Sequence, residues 1–114
     1  MKFSLPFTLA LATAIAPALA TESVATVTIQ SEKGAQNYTP IAKQCVDTKD
    51  ASSKVTSITV KEVSKPPSCI FYTESGCKGN EWPIAVPADS KDGSKKTTFS
   101  KPFYVGSLKC QLAQ

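Results

Sequence analysis

Four cysteines, Cys45, Cys69, Cys77 and Cys110, are the side chains whose chemistry is most constrained by the rest of the sequence. An even number in a chain of 114 residues that opens like an exported protein reads as two disulfides. The spacing leaves all three pairings open. No two cysteines stand in a C-x-x-C arrangement, so neither a zinc knuckle nor a dithiol redox centre is indicated, and none is left over as a nucleophile. Histidine is absent, which removes Ser–His and Cys–His nucleophilic sites and histidine-ligated metals. Carboxylates fall in pairs: Asp47 with Asp50, Glu74 with Glu81, Asp89 with Asp92. A glycosidase holds two such groups about 5–9 Å apart across a walled cleft. A chain this short has little room for those walls, and carboxylates that solvate turns account for all six. No catalysis and no cofactor are expected.

The basic residues are all lysines, thirteen against nine acids, for a formal net charge of +4. Lysine binds anions as a point charge and lacks the fork with which arginine reads bases or clamps carboxylates, so nucleic acid is not an expected partner. Lys91, Lys95, Lys96 and Lys101 cluster in sequence. They suit either an anionic wall polymer or lipid surface, or the ordinary role of solvating a loop. Asn37-Tyr38-Thr39 is an N-glycosylation sequon, with Pro40 directly after it as an unfavourable neighbour.

The N-terminus supplies the compartment. Lys2 is followed by an almost wholly apolar run over residues 5–19, then Ala18-Leu19-Ala20 and the polar Thr21-Glu22-Ser23. That is the order of a cleaved signal peptide. About fifteen apolar residues broken by Pro6 and Pro17 fall short of the roughly twenty a spanning helix needs. Residues 1–20 are therefore expected to be removed, leaving one secreted domain over 21–114 with no membrane span.

That domain contains a repeat. Residues 31–42 align with 73–85 after one inserted residue: Glu32 matches Glu74, Gly34 matches Gly76, and Asn37, Pro40, Ile41 and Ala42 match Asn80, Pro83, Ile84 and Ala85. Downstream, Val55-Thr56-Ser57-Ile58-Thr59-Val60 matches Val105-Gly106-Ser107-Leu108-Lys109-Cys110. Two units result, about 24–63 and 68–113, joined by the stiff Pro66-Pro67.

The elements that must position these residues read as strands. Val27 and Ile29 alternate with Thr26, Thr28 and Gln30. Ile58 and Val60 alternate with Thr59 and Lys61, and Leu108, Cys110 and Leu112 with Lys109 and Gln111. Ile70-Phe71-Tyr72 opens a further strand. The polar stretch 88–100, with its Asp92-Gly93 turn signal, reads as a loop. An all-β domain of two repeated units is expected.

The second unit carries Tyr72, six residues, Gly79, and later Ser107. This resembles the Greek-key signature of the βγ-crystallin superfamily. Glycine there supplies positive φ to a hairpin folded back over its sheet, the serine bonds that hairpin, and the aromatic covers it. In the first unit Gln30 and Asn37 stand at the aromatic and glycine places and Ser57 at the serine. Asparagine tolerates positive φ best after glycine.

The resemblance implies two tandem Greek keys packed as a β-sandwich, with the third strand of each crossing to the other's sheet. Its core would hold Val27, Ile29, Tyr38, Ile41, Ile58, Val60, Phe71, Trp82, Ile84, Val105, Leu108 and Leu112, with Tyr38 and Trp82 as equivalent core corners. It also implies Cys45–Cys110 and Cys69–Cys77 as the bridges. Members that bind calcium do so through an acidic pair followed by Ser/Thr-Ser. The corresponding segments here, 52–57 and 102–107, carry Ser52-Ser53 and Pro102-Phe103 at that pair, so no tight metal site is expected; Asp47 and Asp50 offer at most a weak one. The expected function is that of a non-enzymatic interaction protein, similar to fungal small secreted effectors. It would act outside the cell, as a monomer, on an extracellular protein or wall component. The alternative on the same fold is a killer-toxin-like protein or a proteinase inhibitor, with 88–100 and Lys95-Lys96 as the inhibitory loop.

Overall fold

Alternating apolar and polar residues put one face of each long strand against the core, and the strands follow that pattern. A computed structural model of the chain describes residues 22–49, 51–101 and 103–112; the signal-peptide reading of 1–20, and the readings placed on Asp50 and Pro102, lie outside the described residues. Eight strands are present: β1 (Ala25–Ser31), β2 (Gly34–Tyr38), β3 (Cys45–Asp47), β4 (Val55–Glu62), β5 (Pro67–Glu74), β6 (Lys78–Ala85), β7 (Ser94–Thr98) and β8 (Ser107–Leu112). They form two four-stranded antiparallel sheets, in the orders β2-β1-β4-β7 and β3-β8-β5-β6. The described residues contain no helix, and so none long and apolar enough to cross a membrane.

The two orders are the same order. Replacing each strand of the first half by its counterpart four places on, and the reverse, converts one sheet into the other. The third strand of each half is the edge strand of the other half's sheet: β3 pairs with β8, and β7 with β4. Register repeats as well. Gln30 stands opposite Ser57 and Tyr72 opposite Ser107. Ile29 faces Ile58 as Phe71 faces Leu108, and Val27 faces Val60 as Cys69 faces Cys110. Every pair steps forward by 42 residues on its first strand and 50 on its last. A one-residue slip would turn the buried face outward, so this register is held by the apolar pattern.

Both sheets contribute to one core. Val27, Ile29, Ile58 and Val60 from the first share a buried cluster with Cys69, Phe71, Ile84, Val105, Leu108 and Cys110. Tyr38 and Leu112 pack against it partly buried. Val24, Ala25, Val55 and Val86 belong to it too, and lie at strand ends where alternation is too short to read. Ile41 is only half-buried, at an isolated bridge to Ser23.

Three expectations need correction. The stretch 88–100 is not all loop, because Ser94–Thr98 forms β7. An edge strand with lysines and threonines has no apolar alternation to betray it, and such residues suit an edge because they discourage further pairing. Trp82 is not a core residue; it is 43% exposed on the edge strand β6. Finally, the hairpins are offset by four residues rather than one: eleven residues separate Phe71 from its partner Trp82, and seven separate Ile29 from Gln36. The first hairpin closes tightly between Ser31 and Gly34. The second shifts register between Tyr72 and Glu74 and carries a longer turn.

Candidate functional site

The β5–β6 turn collects most of the residues singled out by the signature. Gly79 has φ 91°, and a Cβ there would run into the Thr73 hydroxyl and the Glu74 side chain, so the position admits glycine alone without strain. The Ser107 hydroxyl accepts a hydrogen bond from the Cys77 amide at 2.8 Å and donates one to the Glu74 carbonyl. Asp47 Oδ1 accepts from the Gly76 amide at 2.8 Å, and the Thr73 hydroxyl accepts from the Asn80 amide at 3.0 Å. Tyr72 is buried opposite Ser107. One residue missed in the sequence is Gly106. A Cβ on it would come within 2.6 Å of the Glu74 carbonyl carbon and 2.9 Å of the Ser75 nitrogen, both main chain, so the turn rests directly on Gly106.

The first half does not repeat this device. Asn37 is absent from the positive-φ residues; it is an ordinary exposed member of β2, its Oδ1 accepting from the Thr28 hydroxyl at 2.8 Å. Gly34, φ 124°, turns that hairpin instead. The Glu32 amide continues the ladder to the Lys54 carbonyl, and Thr56 stands exposed at the place that the buried Gly106 holds in the other half. A tight turn needs no glycine seven residues on.

The disulfides are Cys45–Cys77 and Cys69–Cys110, which corrects the expected Cys45–Cys110 and Cys69–Cys77. Strand parity is the cause. Cys69 and Cys110 are direct partners on β5 and β8, both fully buried, with Cα atoms 4.0 Å apart. Cys45 pairs with Lys109, so it shares the opposite face of the sheet from Cys110 and cannot reach it. On that outer face it meets Cys77 in the turn, Cα–Cα 6.0 Å. Together with Asp47 it ties the first half's third strand to the second half's hairpin.

Chemistry directed outward is concentrated elsewhere. In each half the second strand and the segment after the third lie on edges of different sheets and meet. Tyr38 meets Lys49, its hydroxyl donating to Gln36 Oε1 at 2.6 Å and accepting from the Lys49 amide at 3.1 Å. Trp82 meets Phe99 and Phe103, at ring-centroid distances of 5.4 and 5.6 Å and interplanar angles of 68° and 61°, while the two phenyl rings stack at 4.4 Å. This edge-to-face set fixes the indole. Trp82, Thr98, Phe99, Ser100, Lys101 and Phe103 line an open groove of about 300 Å³. Phe99 and Phe103 stand four residues apart in the sequence, but nothing in that spacing ties them to Trp82.

The turn before β7 is held by Asp92. Hydrogen bonds from Ser94 first, then Ser90, keep its exposed carboxyl below the usual aspartate range, because they favour the charged form. No group of three or more His, Cys, Asp or Glu among the described residues could hold a metal ion. No family model matches the chain, and no curated protein and no solved structure matches it either.

Proposed function

We propose that this chain is a secreted, non-enzymatic interaction protein on a βγ-crystallin-like double Greek-key sandwich, and that it contacts an extracellular protein or wall component through the Trp82 groove. The family reading is supported by the interchange of third strands and the Ser107-held hairpin, both of which the resemblance implied, and by the repeated register. Export is supported by the leader sequence and by two disulfides, which persist in oxidising compartments.

One observation carries the binding role. The chain has a single tryptophan, and it stands 43% exposed, locked by two phenylalanines beside hydroxyls and a lysine. Indole is costly to leave in water and usually marks a contact surface when held rigidly there. The inhibitor alternative loses its main support, since Lys95 and Lys96 are paired with Val60 and Thr59 rather than presented on a protruding loop.

The test is capture of extracellular and wall material by the processed, oxidised protein, wild type against Trp82→Ala and Phe99→Ala. A defined component held by wild type and released by both variants, with unchanged far-UV circular dichroism, is the expected outcome. Retention of nothing, or equal retention by all three, contradicts the role. N-terminal sequencing of the secreted form should begin at Thr21.

A further inference from the structure

We infer that the groove takes an acidic polysaccharide, a polymer of uronic-acid type, with a sugar ring on the Trp82 indole and carboxylates on lysine. This rests on the binding role proposed for the groove and names its ligand class.

The shape comes first. The groove is open rather than an enclosed cavity, and a flat fixed indole within it offers a platform for the C–H face of a pyranose. Because Phe99 and Phe103 already hold the ring at 5.4 and 5.6 Å, stacking on it costs little side-chain ordering. The polar lining fits as well: Thr98 and Ser100 bring hydroxyls, each both donor and acceptor, which match sugar hydroxyls in either sense.

Charge selects among sugars. Lys101 lines the groove, and among the described residues no carboxylate does. Lys95 is exposed and stands opposite Val60 as Thr97 stands opposite Ile58, on the face of β7 that leads towards Phe99. Four residues of extended chain put it about 13 Å from the aromatic platform. A polymer seated on the indole and Lys101 and running back along β7 therefore reaches Lys95 as a second, separated positive charge. Lysine suits this task, because carboxylates spaced along a flexible polymer need point charges rather than a fixed fork. Single-stranded nucleic acid also stacks on aromatics, but it requires a continuous basic channel along its backbone, and two lysines so far apart, Lys95 and Lys101, do not make one.

Trp82 is the chain's only tryptophan, so its fluorescence reports the groove alone. The probe is a hexamer of α-1,4-linked galacturonic acid, titrated into the processed, oxidised protein, with cellohexaose, hexaglutamate and hexathymidylate as comparators. The expected result is a saturable change in emission with the uronate, at least roughly tenfold tighter than for any comparator. Calorimetry should show about a tenfold loss for Phe99→Ala and a smaller loss for Lys101→Ala, and 0.5 M salt, used as the condition here, should weaken binding through screening. No saturable change with the uronate overturns the inference. So does equal binding of cellohexaose, which makes charge irrelevant, or of hexaglutamate or hexathymidylate, which makes the sugar irrelevant. So does full affinity in Phe99→Ala. If the uronate fails while the Trp82-dependent capture persists, the groove remains a binding site for another partner; if both fail, the binding role goes too.

Discussion

Ser107 and Ser57 hold equivalent places in the two halves, opposite Tyr72 and Gln30. Their surroundings differ because only the second half lays a turn across its sheet. Replacing Ser107 by alanine leaves the Cys77 amide and Glu74 carbonyl without their shared hydroxyl in a part-buried setting, an expected loss of about 1–3 kcal/mol. Ser57→Ala should cost roughly 1 kcal/mol or less. Gly106→Ala must push a Cβ into main chain that cannot give way, and should cost about 1–3 kcal/mol, while Thr56→Ala is close to neutral. Urea denaturation of the four variants checks this series; equal losses at positions 57 and 107 would contradict it. The role of Gly79 was legible in the sequence because its constraint follows from the spacing to Tyr72. The role of Gly106 was not, because what excludes a side chain there is the backbone of a segment thirty residues away. Asn37 misled for a related reason: a residue type able to adopt positive φ is not required to do so where the turn is short.

Strands with one buried face announced themselves, as β1, β4 and β8 did through Val27, Ile58 and Leu108. Edge strands did not. β7 buries no large side chain within Ser94–Thr98, and β6 exposes all but Ile84, so neither carries a period that burial would impose. The cysteine pairing was hidden for the same physical reason. Which thiols meet depends on the face each strand turns outward, and that is set by pairing between β3 and β8, elements from different halves. A non-reducing peptide map must separate Cys69 from Cys77, which lie on one tryptic fragment; cleavage at Glu74 does so. The expected cross-linked fragments join Cys45 to Cys77 and Cys69 to Cys110. Fragments joining Cys45 to Cys110 would contradict the sheet register. With sequence separations of 32 and 41, each bridge should add about 3–4 kcal/mol on a loop-entropy basis, lost on replacing either pair by alanine.

At the scale of the molecule, the repeat in sequence becomes a repeat in pairing, and exchange of third strands is what joins the halves. It also creates the candidate site. β6 ends one sheet and β7 the other, so Trp82 and Phe99 meet only because β7 has crossed away from its own half. The equivalent crossing of β3 brings Cys45 and Asp47 to the second hairpin. The doubling was visible in Val55–Val60 against Val105–Cys110 as aligned segments, whereas the open groove was not, because the two halves differ at their edges: the register puts Gln36, bonded to the Tyr38 hydroxyl, where the other half has the exposed Trp82. The most direct test is a nuclear Overhauser spectrum of the oxidised protein. Cross-strand contacts of Val46 with Leu108 and of Thr97 with Ile58 are predicted. Contacts of Val46 with β4 and of Thr97 with β8 would instead leave each half with its own third strand, and would contradict both the shared architecture and the groove built on it.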